Sequence, residues 1–271
     1  MAPVPPPEAR PQGLSSEQRA SANLVGARTA WASVPEWMDF LSPESPAHQA
    51  KLLERELYLR HWAEHVPPGS VVLDVGGGVG RFATWCLDRG CAVHLVDPDP
   101  ESVARAVAHA EGRAGRLFAH VAPVEALPDL PVADAVIAAE LLCYVNDPTA
   151  ALRAVRAHLR PGAPLLLSVE ARYGWALAVD APEGQLPALL GDGVVHVPGD
   201  RFVRTFTAES LRELLAGWTI ERLVPSHYTL GGPLQQVAGE LTREALFARE
   251  DELATHPVFA PLNRAWIVVA R

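Results

Sequence analysis

The chain has 271 residues, 49% apolar and 20% charged, the balance of a folded globular protein and not of a disordered one. No run of 18 apolar residues occurs, which excludes a membrane-spanning helix. The net charge of −9 speaks against an extended nucleic-acid footprint, because such a footprint needs clustered cations.

In chain order, residues 1–14 carry five prolines and are expected to form a flexible tail. The N-terminus has neither a basic region nor an apolar core, so no secretory signal is read there and a cytoplasmic protein is expected. Ser15 with Gln18 three residues on reads as a helix start. Ser45 and Pro46 are placed as N-cap and first residue of a second helix, with Leu52, Leu59, Trp62 and Val66 as its apolar face. Residues 15–67 are therefore expected to form an N-terminal helical cap. From 68 the pattern becomes strand and helix in alternation. Strands are predicted at 71–75, 92–96, 117–121, 135–139, 164–169, 218–224 and 264–270. Helices follow the first, second, fourth and fifth strands, with Asp99, Asp147 and Thr207 as N-caps of the last three. This predicts an α/β domain over 68–271: a Rossmann-like, seven-stranded, mostly parallel sheet with helices on both faces. Two inserts, 171–205 and 226–262, interrupt it, the second containing a helix over 233–256. Cys86, Cys91 and Cys143 have no paired spacing and read as buried free thiols. No metal site is expected.

The most informative segment runs from Val72 to Arg81. It joins a buried strand to a helix through Gly76, Gly77, Gly78 and Gly80. Glycine lets a ligand touch backbone, and the free N–H groups at a helix start favour an anion. Two readings of the loop fit. Gly78, Gly80 and Ala83, with Asp97 further on, match a dinucleotide fingerprint and would suit an NAD-linked oxidoreductase. Asp74, Gly76, Gly78 and Gly80 match D-x-G-x-G-x-G.

That second pattern resembles the class I S-adenosyl-L-methionine (SAM) methyltransferases. Asp97 at the end of the second strand, the turn from His158 to Ser168 and a closing strand at 264–271 share the resemblance, which covers 68–225 and 264–271. It implies SAM as cofactor, held by Asp74, Gly76, Gly78, Gly80, Asp97, Val124 and Glu140. Asp97 takes the ribose hydroxyls, and Asp74 orders the loop near the methionine end. The chain departs from the family at Pro123, where many members carry an acid for the adenine amino group. The backbone N–H of Val124 is the expected substitute.

Strands four and five end at Glu140 and Glu170, where a methyl acceptor should lie. The candidates for catalysis are Glu140, Tyr144, Glu170, His196 and His227, as bases or orienting groups. Trp31, Trp37, Phe40, Tyr173 and Trp175 are candidates to roof an apolar pocket. The expected activity is methyl transfer to a small-molecule metabolite, with no nucleic acid and no membrane as partner. A non-catalytic binding module on the same fold stands as a third reading. Acceptor atom, substrate identity and oligomeric state stay open.

Overall fold

The computed structural model describes residues 39–177, 184–197 and 201–271. The predicted tail, the helix start at Ser15, and Trp31 and Trp37 lie outside the described residues.

The first described helix is α1 (His48–Trp62). It begins after Ser45 and Pro46 and not at them. The Ser45 carbonyl accepts from His48 N–H at 3.0 Å, a three-residue turn, so Ala47 becomes the N-cap and has no side-chain bond to offer. Its fully buried face also differs from the expected one. It runs through Glu54, Leu57, Tyr58 and Trp62, with a carboxylate on the apolar side, while Leu52 and Leu59 are only half-buried.

The strands are β1 (Val71–Val75), β2 (Ala92–Asp97), β3 (Arg116–Val121), β4 (Ala135–Ala139), β5 (Leu165–Glu170), β8 (Ile220–Ser226) and β9 (Ala265–Ala270). They form one seven-stranded sheet in the order β3-β2-β1-β4-β5-β9-β8. β1 to β5 pair in parallel, and β9 runs antiparallel between β5 and β8. Helices α2 (Arg81–Asp88), α3 (Pro100–Ala110) and α4 (Pro148–Ala157) make the crossovers. Asp99 caps α3 by accepting from Ser102 N–H at 3.0 Å, and Asp147 caps α4 by accepting from Ala150 N–H at 2.9 Å.

Central strands buried on both faces need apolar residues at every position. Alternate residues of each strand accordingly feed two cores. Leu73, Val136, Leu165, Leu167 and Val268 pack with Leu152, Val155 and Leu211 on one face. Val72, Val93, Leu95, Ile137, Leu166 and Ile267 pack with Trp62, Phe82 and Leu87 on the other. Each fully buried side chain of this kind contributes about 1.5–3 kcal/mol. Trp62 also donates its Nε1–H to the Val268 carbonyl at 3.2 Å, which fixes α1 against β9.

Segment 171–205 holds α5 (Arg172–Ala176), α6 (Leu186–Leu190) and an antiparallel hairpin of β6 (Val194–Val197) and β7 (Arg201–Arg204). Thr207 caps α7 (Ala208–Leu214) in a capping box with Ser210. The segment between β8 and β9 contains two helices in place of the single one expected over 233–256. They are α8 (Gln235–Ala238) and α9 (Arg243–Thr255). Gly239 at φ 67° ends α8, and Thr242 restarts the chain as the α9 N-cap. All three cysteines are buried free thiols.

Candidate functional site

Strand order reverses between β1 and β4, and open α/β sheets bind ligands beyond the carboxyl ends of the strands at such a point. On the β1 side lies the glycine loop. Gly78 has φ 52°, and no atom lies within 4 Å of where its Cβ would be, so the loop presents bare backbone to open space. The loop is held from below. Gly76 N–H donates to the Val96 carbonyl at 2.7 Å. Asp97 accepts from Gly78 N–H through Oδ2 and from Asp99 N–H through Oδ1, both at 2.9 Å. A carboxylate oxygen can accept more than one hydrogen bond, so an acid at this position can brace the loop and take a ligand hydroxyl together. Asp74 is buried, and its Oδ2 has no hydrogen-bond partner. Burial pushes its pKa up to about 7, against the lowering effect of Arg81. Val124 is buried in the turn after β3. An open glycine cradle over an orphaned buried carboxylate, with an acid at the end of β2, fits a cofactor with an amino-acid end and a ribose diol.

On the β4 and β5 side the structure assembles a charged cluster. Glu140 follows β4 at φ 58°, and its Oε1 accepts from Tyr58 O–H at 2.9 Å and from Arg81 Nη2 at 3.1 Å. Arg81 also faces Glu54 at 3.7 Å, and Lys51 bonds Glu54 at 2.7 Å. Burial raises the Glu140 pKa, but Arg81, Arg264 and Lys51 outweigh it and hold the carboxyl ionised, well below the usual range. Burial likewise opposes the charge of Arg81, and Glu140, Tyr58 and Glu54 more than restore it. Glu170 ends β5. Its Oε1 takes a bond from Arg264 at 3.2 Å, while its Oε2 is buried and unpaired. Burial raises the Glu170 pKa, with Arg264 opposing.

His227 follows β8 at φ 63°. Its ring lies 4.6 Å from that of Tyr58, and neither ring nitrogen has a partner. Burial lowers its pKa to about 4, against Glu54 and Glu140, which raise it; the imidazole is neutral at pH 7. Glu54, Tyr58, Glu140, Glu170, His227 and Arg264 enclose a cavity of about 10 Å³, the space of about one water. A larger open groove of about 500 Å³ lies at the amino ends of the strands, against Pro67, Asp134, Arg160 and Gly162. It contains none of the predicted site residues.

Three of the five catalytic candidates, Glu140, Glu170 and His227, thus meet in one cavity. The other two do not line it. Tyr144 ends a turn after β4 with a largely exposed side chain, and His196 is exposed on the β6–β7 hairpin. Of the proposed roof, Phe40 is half-buried, with its carbonyl 3.0 Å from His48 Nδ1, and Tyr173 is exposed. Sequence reasoning missed Glu54, Tyr58, Arg81 and Arg264. A signal existed for Glu54, an acid in register with Leu57, Tyr58 and Trp62 on the buried face of a helix.

The fold and cradle define a class I, Rossmann-like nucleotide-type binding site, and comparison narrows the class. Residues 46–221 match the family model described as a methyltransferase domain. A ubiquinone biosynthesis O-methyltransferase of Xanthomonas axonopodis pv. citri is 35% identical over 164 residues, covering 59% of this chain and 67% of that protein. Solved structures share the fold. One is the Burkholderia thailandensis 1,6-didemethyltoxoflavin-N1-methyltransferase with S-adenosylhomocysteine bound, with a TM-score of 0.58 and 19% identity, covering 97% of this chain and 92% of that one. Another is the magnesium protoporphyrin IX methyltransferase of Synechocystis, with a TM-score of 0.56 and 17% identity, covering 92% and 98%.

The chain belongs to the methyltransferase-domain family. It is a SAM-dependent methyltransferase of a small-molecule metabolite, and the NAD and non-catalytic readings of the glycine loop fall away. Among the described residues no helix is long and apolar enough to cross a membrane.

Proposed function

We propose that the enzyme methylates a hydroxyl group, and that His227 takes the hydroxyl proton while Glu170 holds the acceptor. One observation carries this reading. Three buried polar atoms without partners, Glu170 Oε2 and both ring nitrogens of His227, belong to residues that line one cavity. Buried polar atoms in native proteins are nearly always paired, so an orphaned set in a cavity marks a place for a ligand with donors. The O-methyltransferase relative supports oxygen as the acceptor atom.

The cofactor supplies an electrophilic methyl on a sulfonium that leaves as a neutral thioether. The residues proposed to hold it are Asp74, Gly76, Gly78, Gly80, Asp97 and the backbone of Val124, with Glu140 at its methionine end. The remaining work belongs to the chain. As the new C–O bond forms, the acceptor oxygen becomes acidic and its proton passes to a neutral His227 ring nitrogen. Glu54 and Glu140 favour the imidazolium that results. Holding acceptor and donor in line accounts for much of the rate in transfers of this kind.

The acidic net charge of −9 supports a metabolite acceptor and no nucleic acid, and we place the enzyme in the cytoplasm. The cap at 15–67 and the segments 171–205 and 226–262 are read as the parts that set acceptor choice. The test is a panel of phenols of graded acidity. His227→Gln lowers kcat on un-ionised phenols by about 10²–10⁴-fold, the usual contribution of a positioned base. Phenols already ionised at the assay pH lose far less. Equal loss on both kinds of phenol contradicts the reading.

A further inference from the structure

His227 occupies a left-handed conformation, φ 63°, that few residues other than glycine adopt, histidine, asparagine and aspartate being the most frequent among them. Such a residue persists where its surroundings over-determine it, and such strain gathers at functional sites. The restraint here comes from the segment between β8 and β9, at the residues next to the histidine. Glu250, on α9, is buried at 3% exposure. Its Oε1 accepts from Tyr228 N–H at 3.0 Å, from Thr229 N–H at 2.8 Å and from Thr229 Oγ1–H at 2.8 Å. Its Oε2 also lies 3.0 Å from Tyr228 N. Leu246 and Leu253 are buried on the same helix and seat that face of α9.

Three further contacts close the corner. Arg264 N–H donates to the His227 carbonyl at 3.2 Å, and Leu234 N–H donates to the Tyr228 carbonyl at 2.8 Å. Gly232 approaches so closely that a Cβ there would collide with the His227 carbonyl oxygen. The backbone after His227 is thus held from α9, and the backbone carbonyl of His227 is held from the residue that pairs with Glu170.

We propose that Glu250 is a positioning residue for His227. Its carboxylate clamps the two following backbone N–H groups, holds the strained corner and keeps the unpartnered imidazole turned into the cavity. The inserted segment between β8 and β9 therefore has a catalytic purpose, acting through its grip on one corner and not by touching the acceptor. This inference rests on the reading of His227 as proton acceptor, but its first test does not use activity.

Histidine NMR titration of the ligand-free protein, with His227→Gln assigning the signal, reads the ring directly. The groups facing His227 are Glu54 and Tyr58 from α1, Arg81 from α2, Glu140 after β4, Glu170 from β5 and Arg264 before β9. In the intact protein the ring titrates near 4. In Glu250→Ala the corner relaxes, the ring meets water, and its midpoint climbs toward the ordinary value of about 6.5. Glu250→Gln keeps a carbonyl oxygen at the Oε1 position and holds the midpoint low. Thr229→Val removes one bond while keeping the shape, so it gives a smaller shift in the same direction and serves if Glu250→Ala does not fold. No shift in Glu250→Ala or Thr229→Val, or the same shift in Glu250→Gln as in Glu250→Ala, overturns the proposal.

In turnover, Glu250→Ala lowers kcat by about a hundredfold, the scale of a 1 Å misplacement, with the KM for SAM unchanged, and Glu250→Gln recovers most of that loss. If the titration shifts as stated while His227→Gln retains full kcat, positioning stands and the base reading fails.

Discussion

The two sides of the topological switch treat buried charge in opposite ways. Beyond β1 and β2, Asp97 bonds the glycine loop through one oxygen and the start of the next helix through the other, and the loop presents bare backbone to open space at Gly78. Beyond β4, β5 and β8, carboxylates are tied to arginines brought from elsewhere in the chain, and the residues with atoms left over line a cavity. The cofactor side is a compact device made by two adjacent strands, one turn and one helix start. The acceptor side is a long-range device, joining α1, the start of α2 and the ends of β4, β5 and β8. The first can be damaged with little loss of fold; the second cannot.

Arg81→Met tests this most severely. Arg81 is 13% exposed and faces both Glu140 and Glu54. Removing it takes the ion-pair partner from Glu140, whose side chain is 29% exposed, and leaves Glu54 with Lys51; breaking a fully buried pair costs about 3–5 kcal/mol, which bounds the loss from above. Urea unfolding is the measurement, and a loss under 1 kcal/mol would mean that the cluster is more solvated than its burial indicates. Gly78→Val should show the converse. A β-branched side chain at φ 52° resists the conformation and fills the approach path, so SAM affinity by calorimetry falls about a hundredfold or more, while stability drops only by the strain of one turn residue, about 1–3 kcal/mol.

A third comparison uses pH. His227 has a folded pKa near 4, below its unfolded value near 6.5, so the unfolded chain binds more protons in that window. Stability is therefore lost as pH falls from 6.5 to 4, by about 3 kcal/mol from this group, and His227→Gln removes that slope. Asp74 works in the other direction. With a folded pKa near 7 it loses stability as pH rises from about 4 to 7. Asp74→Asn is thus expected to raise ligand-free stability at pH 8 by about 1–2 kcal/mol and to weaken SAM binding. Greater stability with unchanged SAM affinity would reduce Asp74 to a packing defect.

The same contrast explains what the sequence disclosed. The glycine loop, Asp97 and the caps Asp99 and Asp147 are short-range features, because turn chemistry and capping act within a few residues, and each stands where it was expected. The seven strands were legible for the same reason, as buried apolar runs between turns. The acceptor cluster depends on which helix face meets which strand end. Glu54 and Arg264 are 210 residues apart, and no local pattern joins them. Glu140 and Glu170 were legible because strand ends point to one edge, a rule that also admitted Tyr144; His196 and His227 were named by residue type as bases, and only His227 lines the cavity. The helix over 233–256 failed at Gly239, whose left-handed φ ends α8 and separates it from the helix that carries Glu250.

A crystal structure with S-adenosylhomocysteine bound tests the central claim most directly. The account predicts ribose hydroxyls on Asp97, the amino-acid end along the glycine loop, and the sulfur facing the cavity walled by Glu140, Glu170 and His227. A sulfur directed away from that cavity, with His227 still sealed and unpartnered, would contradict it.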